Sequence, residues 1–255
     1  MHSNPVANGL LSGAAAALVA VVLHLVFLQP LLLRAEDYES GARVHDFESG
    51  LSEDHHSDAA TVDPDHDATE TKAPGAMPKR LDTPWELSRD ALTAGFFLVA
   101  YAAYGLLLAG SVDMARQRGY REAAGHAVLW GAAGFAVFAL VPSFGLAPEL
   151  PGMAAGPLGE RQVWWAATAA VTAATLAGLA FSNARALWGG VGLIALTILM
   201  FLAPEPEAFT GPVPPELSAA FAGRALGLAA AAWLVLAVCV LRQPSRSHSV
   251  ATLGV

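Results

Sequence analysis

Six apolar runs, each close to the length of a bilayer-spanning helix, dominate this chain. Three lie before and three after a broken stretch at residues 141–165. That stretch reads VPSFGLAPELPGMAAGPLGERQVWW, with five prolines or glycines in its first twelve residues, two glutamates, one arginine and a tryptophan pair. Irregular backbone cannot face lipid, where every unpaired amide or carbonyl is heavily penalised. The stretch is therefore an extramembrane connection or a protein-lined feature dipping back toward the bilayer. It sits at the centre of an expected all-α fold, a polytopic membrane helical bundle of about six transmembrane helices.

Charge is scarce where such helices need it to be. Only 14% of the 255 residues are charged, against about 25% in a soluble domain. Of the 22 acids, 15 fall in residues 34–90, which leaves long stretches elsewhere almost free of charge. The net charge of −8 argues against nucleic acid. The single cysteine, Cys239, lies within an apolar run and excludes an internal disulfide, and no CxxC motif exists.

Three segments follow from this pattern. Residues 1–33 hold the N-terminus and the first span, which lacks the basic start and cleavage site of a signal peptide and reads as retained. Within it, residues 9–33 exceed the ~20 apolar residues a crossing requires. Gly9, Gly13 and several alanines there suit close helix contact. His24 is placed ~14 Å from the outer end, near the midplane. An ionisable group there points to function, either as a ligand on a metal path or as a neutral imidazole bonded to a neighbouring helix.

Residues 34–90 form a polar, extracytoplasmic loop, acidic and rich in Ser, Thr and Pro, whose middle is expected to be disordered. His55, His56 and His66 are interleaved there with aspartates, with His45 upstream. Imidazole and carboxylate together suit divalent first-row metals. The irregular spacing fits loose cation capture or a solvated acidic linker, and no closed zinc or EF-hand motif. Thr83, Pro84 and Glu86 make a helix start.

Residues 91–255 make the bundle, with helices expected near 91–112, 125–146, 163–181, 187–202 and 217–241 and a short cytoplasmic tail. Arg116, Arg118 and Arg121 crowd one short connection, Arg185 marks the next on the same side, and Arg242 and Arg246 follow the last helix. Basic short loops stay cytoplasmic, so both termini are expected inside.

A few polar residues stand where charge is costly. Arg224 lies ~12 Å along the last helix from Glu216, with Glu149, Glu160 and Glu216 as candidate partners. It reads as half of an ion pair or as a charge-compensating switch. Glu149 and Glu160 sit beside glycine and proline, where exposed carbonyls and carboxylates together can replace the water around a cation. Trp164 and Trp165 suit the membrane interface or the wall of a site. The chain lacks GxxxxGK[ST], GxSxG, HExxH and GxGxxG motifs, so it reads as no enzyme and carries no ATPase of its own.

The fragments QPLLLRAEDYE, LWGAAGFAVFALVPSFGLAPELPGMAAGPLGERQVWW and PPELSAAFAGRAL, taken together, resemble the CbtA family of predicted cobalt transporters. The resemblance covers most of the membrane part and stops at the acidic loop. It implies an inner-membrane component of cobalt uptake that supplies cobalamin synthesis, carries Co2+ as cargo and holds no bound cofactor. It also implies a small single-span, histidine-containing (CbtB-like) partner; beside these, the lipid bilayer is an expected partner and a homo-oligomer an open option. By position it marks Glu36, Glu149, Glu160 and Glu216, with His24, Arg161, Trp164, Trp165 and Arg224 beside them. The family pattern has a glutamate before the first-span proline; here it is Gln29, which weakens a carboxylate role at that point. The competing function is a non-transporting metal-binding scaffold or accessory subunit of another permease. A membrane enzyme acting on a lipid or quinone ranks third.

Overall fold

The computed structural model describes residues 5–42, 87–120 and 126–242. Among them all regular structure is helical. Helix α1 (Pro5–Leu23) passes through a π turn (His24–Leu28) into α2 (Gln29–Glu39), making one rod of 35 residues. Helix α3 spans Leu87–Gln117. Helix α4 (His126–Phe135) continues through a second π turn (Ala136–Leu140) and a 3-10 turn (Pro142–Phe144). Helices α5 (Leu158–Phe181), α6 (Arg185–Phe201) and α7 (Pro215–Arg242) complete the bundle. Five of these stretches are long and apolar enough to cross a membrane, while α6 is apolar but has only 17 residues.

The histidine-bearing loop, with His45, His55, His56 and His66, lies outside the described residues, as do the helix start at residues 83–86 and the C-terminal tail. The beginning of the expected loop is helical. RAEDYE follows three leucines and is built of good helix formers, so α2 runs on to Glu39, and Gly41 leaves the helix at φ 74°.

Both π turns have the same cause. Pro30 and Pro142 bring no N–H, so the carbonyl four residues before each loses its usual donor. The helix takes in one extra residue just before each proline. The Gln29 amide then reaches the His24 carbonyl, and the Val141 amide reaches the Ala136 carbonyl at 3.0 Å. Such π turns gather at functional sites.

Packing begins with small residues. The α1–α3 contact is the most extensive in the bundle. A Cβ on Gly9 would come within 2.9 Å of the Gly105 carbonyl oxygen, and one on Gly13 would overlap that of Tyr101. Ala16, Ala17 and Ala20 extend the same buried stripe. Helix α7 lies between α1 and α4. Asn8 donates to the Val240 carbonyl at 3.2 Å on one side. On the other, Gly131 and Gly134 make room for Leu234 and the Trp233 ring. Helices α5 and α6 form a hairpin, with Gly178 against Trp188 and Gly192 against Thr175. Large apolar side chains such as Leu92, Phe96, Leu193 and Phe201 stay exposed on the outside, as lipid requires.

The end of α2, the starts of α3, α5 and α7 and the end of α6 share one end of the bundle with the central stretch. Gly152 (φ 79°) approaches Glu39. The Ala154 amide donates to the Thr210 carbonyl at 2.9 Å, and Gly156 approaches Pro204.

Candidate functional site

A cavity of about 660 Å3 opens below the central stretch, between the broken end of α4, the first turns of α5 and the middle of α7. The bends that make room for it are the second π turn and the 3-10 turn at Pro142. Phe138 and Trp165 form apolar wall, their rings 6.1 Å apart, and Ala225, Leu226 and Ala229 close the α7 side. Polar groups are few: Ser143, Glu149, Arg161 and Gln162. The Arg161 Nη2 donates to Glu149 Oε2 at 2.7 Å. Ser143 Oγ donates to the Leu140 carbonyl. Pro142 has no N–H, so one backbone donor is missing from the helix on this side of the cavity.

A second polar group lies between α1/α2 and α3. His24 opens the first π turn and meets the Phe97 ring edge-on at 5.4 Å. One turn higher, the buried Gln29 donates its amide to Asp90 Oδ1 at 3.1 Å. Arg89 lies between carboxylates, 3.8 Å from Glu36 and 3.9 Å from Asp90. A run of ring contacts links the two places. It goes from Phe97 to Tyr101, Tyr104 and Trp233, then to Phe138, which stacks on Trp233 at 5.4 Å with ring planes 5° apart.

The chain matches the family described as "Probable cobalt transporter subunit (CbtA)" over residues 3–241. The chain belongs to the CbtA family. It is thus a membrane protein of a group described as transporter subunits. No curated protein and no solved structure matches it.

In this CbtA chain the residues marked from sequence are dispersed. Glu149 and Arg161 meet at the cavity. Glu160 and Glu216, in the first turns of α5 and α7, are exposed. Among the described residues no three His, Cys, Asp or Glu side chains form a group able to hold a metal. The sequence leads one to expect a carboxylate opposite Arg224. Its Nη1 instead donates to the Phe27 carbonyl at 3.2 Å, within the first π turn. A broken helix offers such carbonyls, and an arginine is a good donor to them. The tryptophan pair divides. Trp164 is buried and its Nε1 donates to the Leu199 carbonyl at 2.6 Å, fastening α5 to α6, whereas Trp165 lines the cavity. His55, His56 and His66 lie outside the described residues.

Sequence reasoning passed over Asp90, Ser143 and Gln162 in this CbtA protein. Asp90 had a signal. It is an acid just before an apolar run, in the first turn of α3, and it accepts from Gln29 on α2. Ser143 and Gln162 had none, since a serine or glutamine beside a helix end is ordinary.

Proposed function

We propose that this protein is the membrane component of a divalent-cation uptake system, with Co2+ as its cargo and cobalamin synthesis as the consumer. The single observation that carries this is the cavity bounded by a proline-broken helix with Glu149 in its wall. Discontinuous helices and a carboxylate at one place are how membrane carriers replace a cation's water. The family description supports cobalt as the ion. The ligand chemistry alone would not, because nickel, copper and zinc compete for the same groups.

The end bearing the central stretch faces outward in this proposal, since Arg116, Arg118, Arg185 and Arg242 gather at the other. That end lies on the outer side of the plasma membrane, and both termini are cytoplasmic. The acidic loop concentrates cations outside, Glu149 receives them, and His24 is a ligand farther in. A small single-span protein completes the system, in keeping with a family of transporter subunits.

Uptake of Co2+ into proteoliposomes, with and without the small partner, tests the proposal. Glu149→Gln is expected to lower the initial rate by at least about tenfold, the loss of one charged contact. Full uptake by that variant would remove Glu149 from the path. Metal binding without flux in any combination would favour the scaffold role.

A further inference from the structure

We propose that Arg161 is a resident counter-cation of the cavity: its guanidinium occupies Glu149 in the unloaded protein and must leave before a divalent cation can take that carboxylate. This rests on the transport reading above and names the group that regulates its site.

Three observations point to it. The contact is short, 2.7 Å from Nη2 to Oε2, so a guanidinium charge already sits on Glu149 where a cation would bind. The arginine is poorly held apart from this bond. Its Nε is buried without a partner, and an arginine fixed for structural ends commonly engages a carboxylate through two parallel donors. The pair also borders the cavity of about 660 Å3, which leaves space for an arriving ion and for a displaced side chain of this length. Arg161 can only yield by moving, because a guanidinium does not lose its proton in proteins.

Charge makes this a selectivity device. A monovalent ion arriving at Glu149 offers the same unit charge that Arg161 already supplies, so it gains little by exchange. A divalent ion brings twice that charge and can win. Arg161 therefore suppresses occupation by sodium or potassium, which surround any such protein in large excess. When the divalent ion moves on, the returning guanidinium neutralises the carboxylate again and opposes rebinding. Each cycle thus exchanges one cation for another at a single acid, so Glu149 keeps a counter-charge throughout.

The test is Co2+ binding to the purified full-length protein by titration calorimetry, in potassium-free and potassium-containing buffer. Arg161→Gln, neutral and similar in size, is expected to bind Co2+ roughly tenfold more tightly, as loss of one competing charge-assisted hydrogen bond implies. It should also become sensitive to added potassium where the parent is not. Arg161→Lys keeps the charge and should stay near the parent in both respects. Glu149→Gln should lose the site with or without Arg161. Equal or weaker Co2+ binding by a folded Arg161→Gln protein, or unchanged potassium sensitivity, overturns the counter-cation role. Failure of both Arg161 variants to fold also overturns it, by making the ion pair structural. If Glu149→Gln binds and transports as the parent does, the transport reading of this cavity fails as well. If Glu149→Gln is inactive while Arg161→Gln matches the parent, only the counter-cation role falls.

Discussion

Asp90 belongs to the start of α3, yet its side chain is only 16% exposed and accepts a hydrogen bond from the buried amide of Gln29 on α2. A polar pair like this is stabilising only while both halves remain. Asp90→Leu removes the acceptor beside Gln29 and the neighbour of Arg89, and should destabilise the protein by about 1–3 kcal/mol. Asp90→Asn keeps an acceptor and should lose well under half of that. Thermal unfolding of the two variants in detergent checks the order, and equal melting points would mean that the Gln29 contact contributes nothing. The same pair shows where sequence reasoning stops. Charged and polar residues at unusual depth are visible in a linear sequence, and His24 and Arg224 stand out for that reason. Their partners are not visible there. Gln29 and Asp90 are 61 residues apart and Arg224 and Phe27 are 197 apart. Depth follows from the count of residues along a helix, but the direction a side chain faces depends on which helix lies alongside.

The helices themselves are far more legible, because bilayer thickness and backbone hydrogen bonding leave little choice once an apolar run is long enough. Two things within them are not. Prolines at residues 30 and 142 announce a break but not the π form it takes, which depends on the helix continuing on the far side. And a small-residue stripe announces close contact without naming the partner. Here Gly9 and Gly13 of α1 lie against Tyr101–Gly105 of α3 so closely that no side chain fits between. Gly13→Val should therefore push the two helices apart at a cost of about 1–3 kcal/mol, the usual range for overpacking. Gly110 has open space where a Cβ would go, so Gly110→Ala on the same helix α3 should leave stability unchanged or slightly raise it. A melting comparison of the two would fail this account if the Gly110 variant were the weaker.

At the scale of the whole molecule, two helix pairs flank a central one. The α1–α3 pair and the α5–α6 pair each pack mainly within themselves, α4 crosses α7 between them, and α7 also carries α1. Both broken helices, α1/α2 and α4, run toward the same end, so both π turns touch α7 and the cavity lies beside it. Charge is distributed along the same axis. Among the described residues, Glu36, Asp37, Glu39, Asp90, Glu149, Glu160, Glu205, Glu207 and Glu216 collect at the cavity end, against Arg34, Arg89 and Arg161. The opposite end carries Arg116, Arg118, Arg185 and Arg242 with Asp113. A polarity of this kind acts on cations before any of them reaches a ligand, by raising their concentration at the acidic mouth. It acts through water and is weakened by salt, since exposed charges are screened beyond about 10 Å at 0.1 M ionic strength. Raising the ionic strength with a bulky, non-competing salt should therefore increase the Co2+ concentration needed for half-maximal uptake by roughly three- to tenfold across a Debye length of about 30 to 10 Å, with the maximal rate unchanged. In the transport reading proposed above, binding at Glu149 is a short-range contact and should resist the same change. A fall in maximal rate with constant half-saturation would place the salt effect in the moving steps and leave the acidic end without a capturing role.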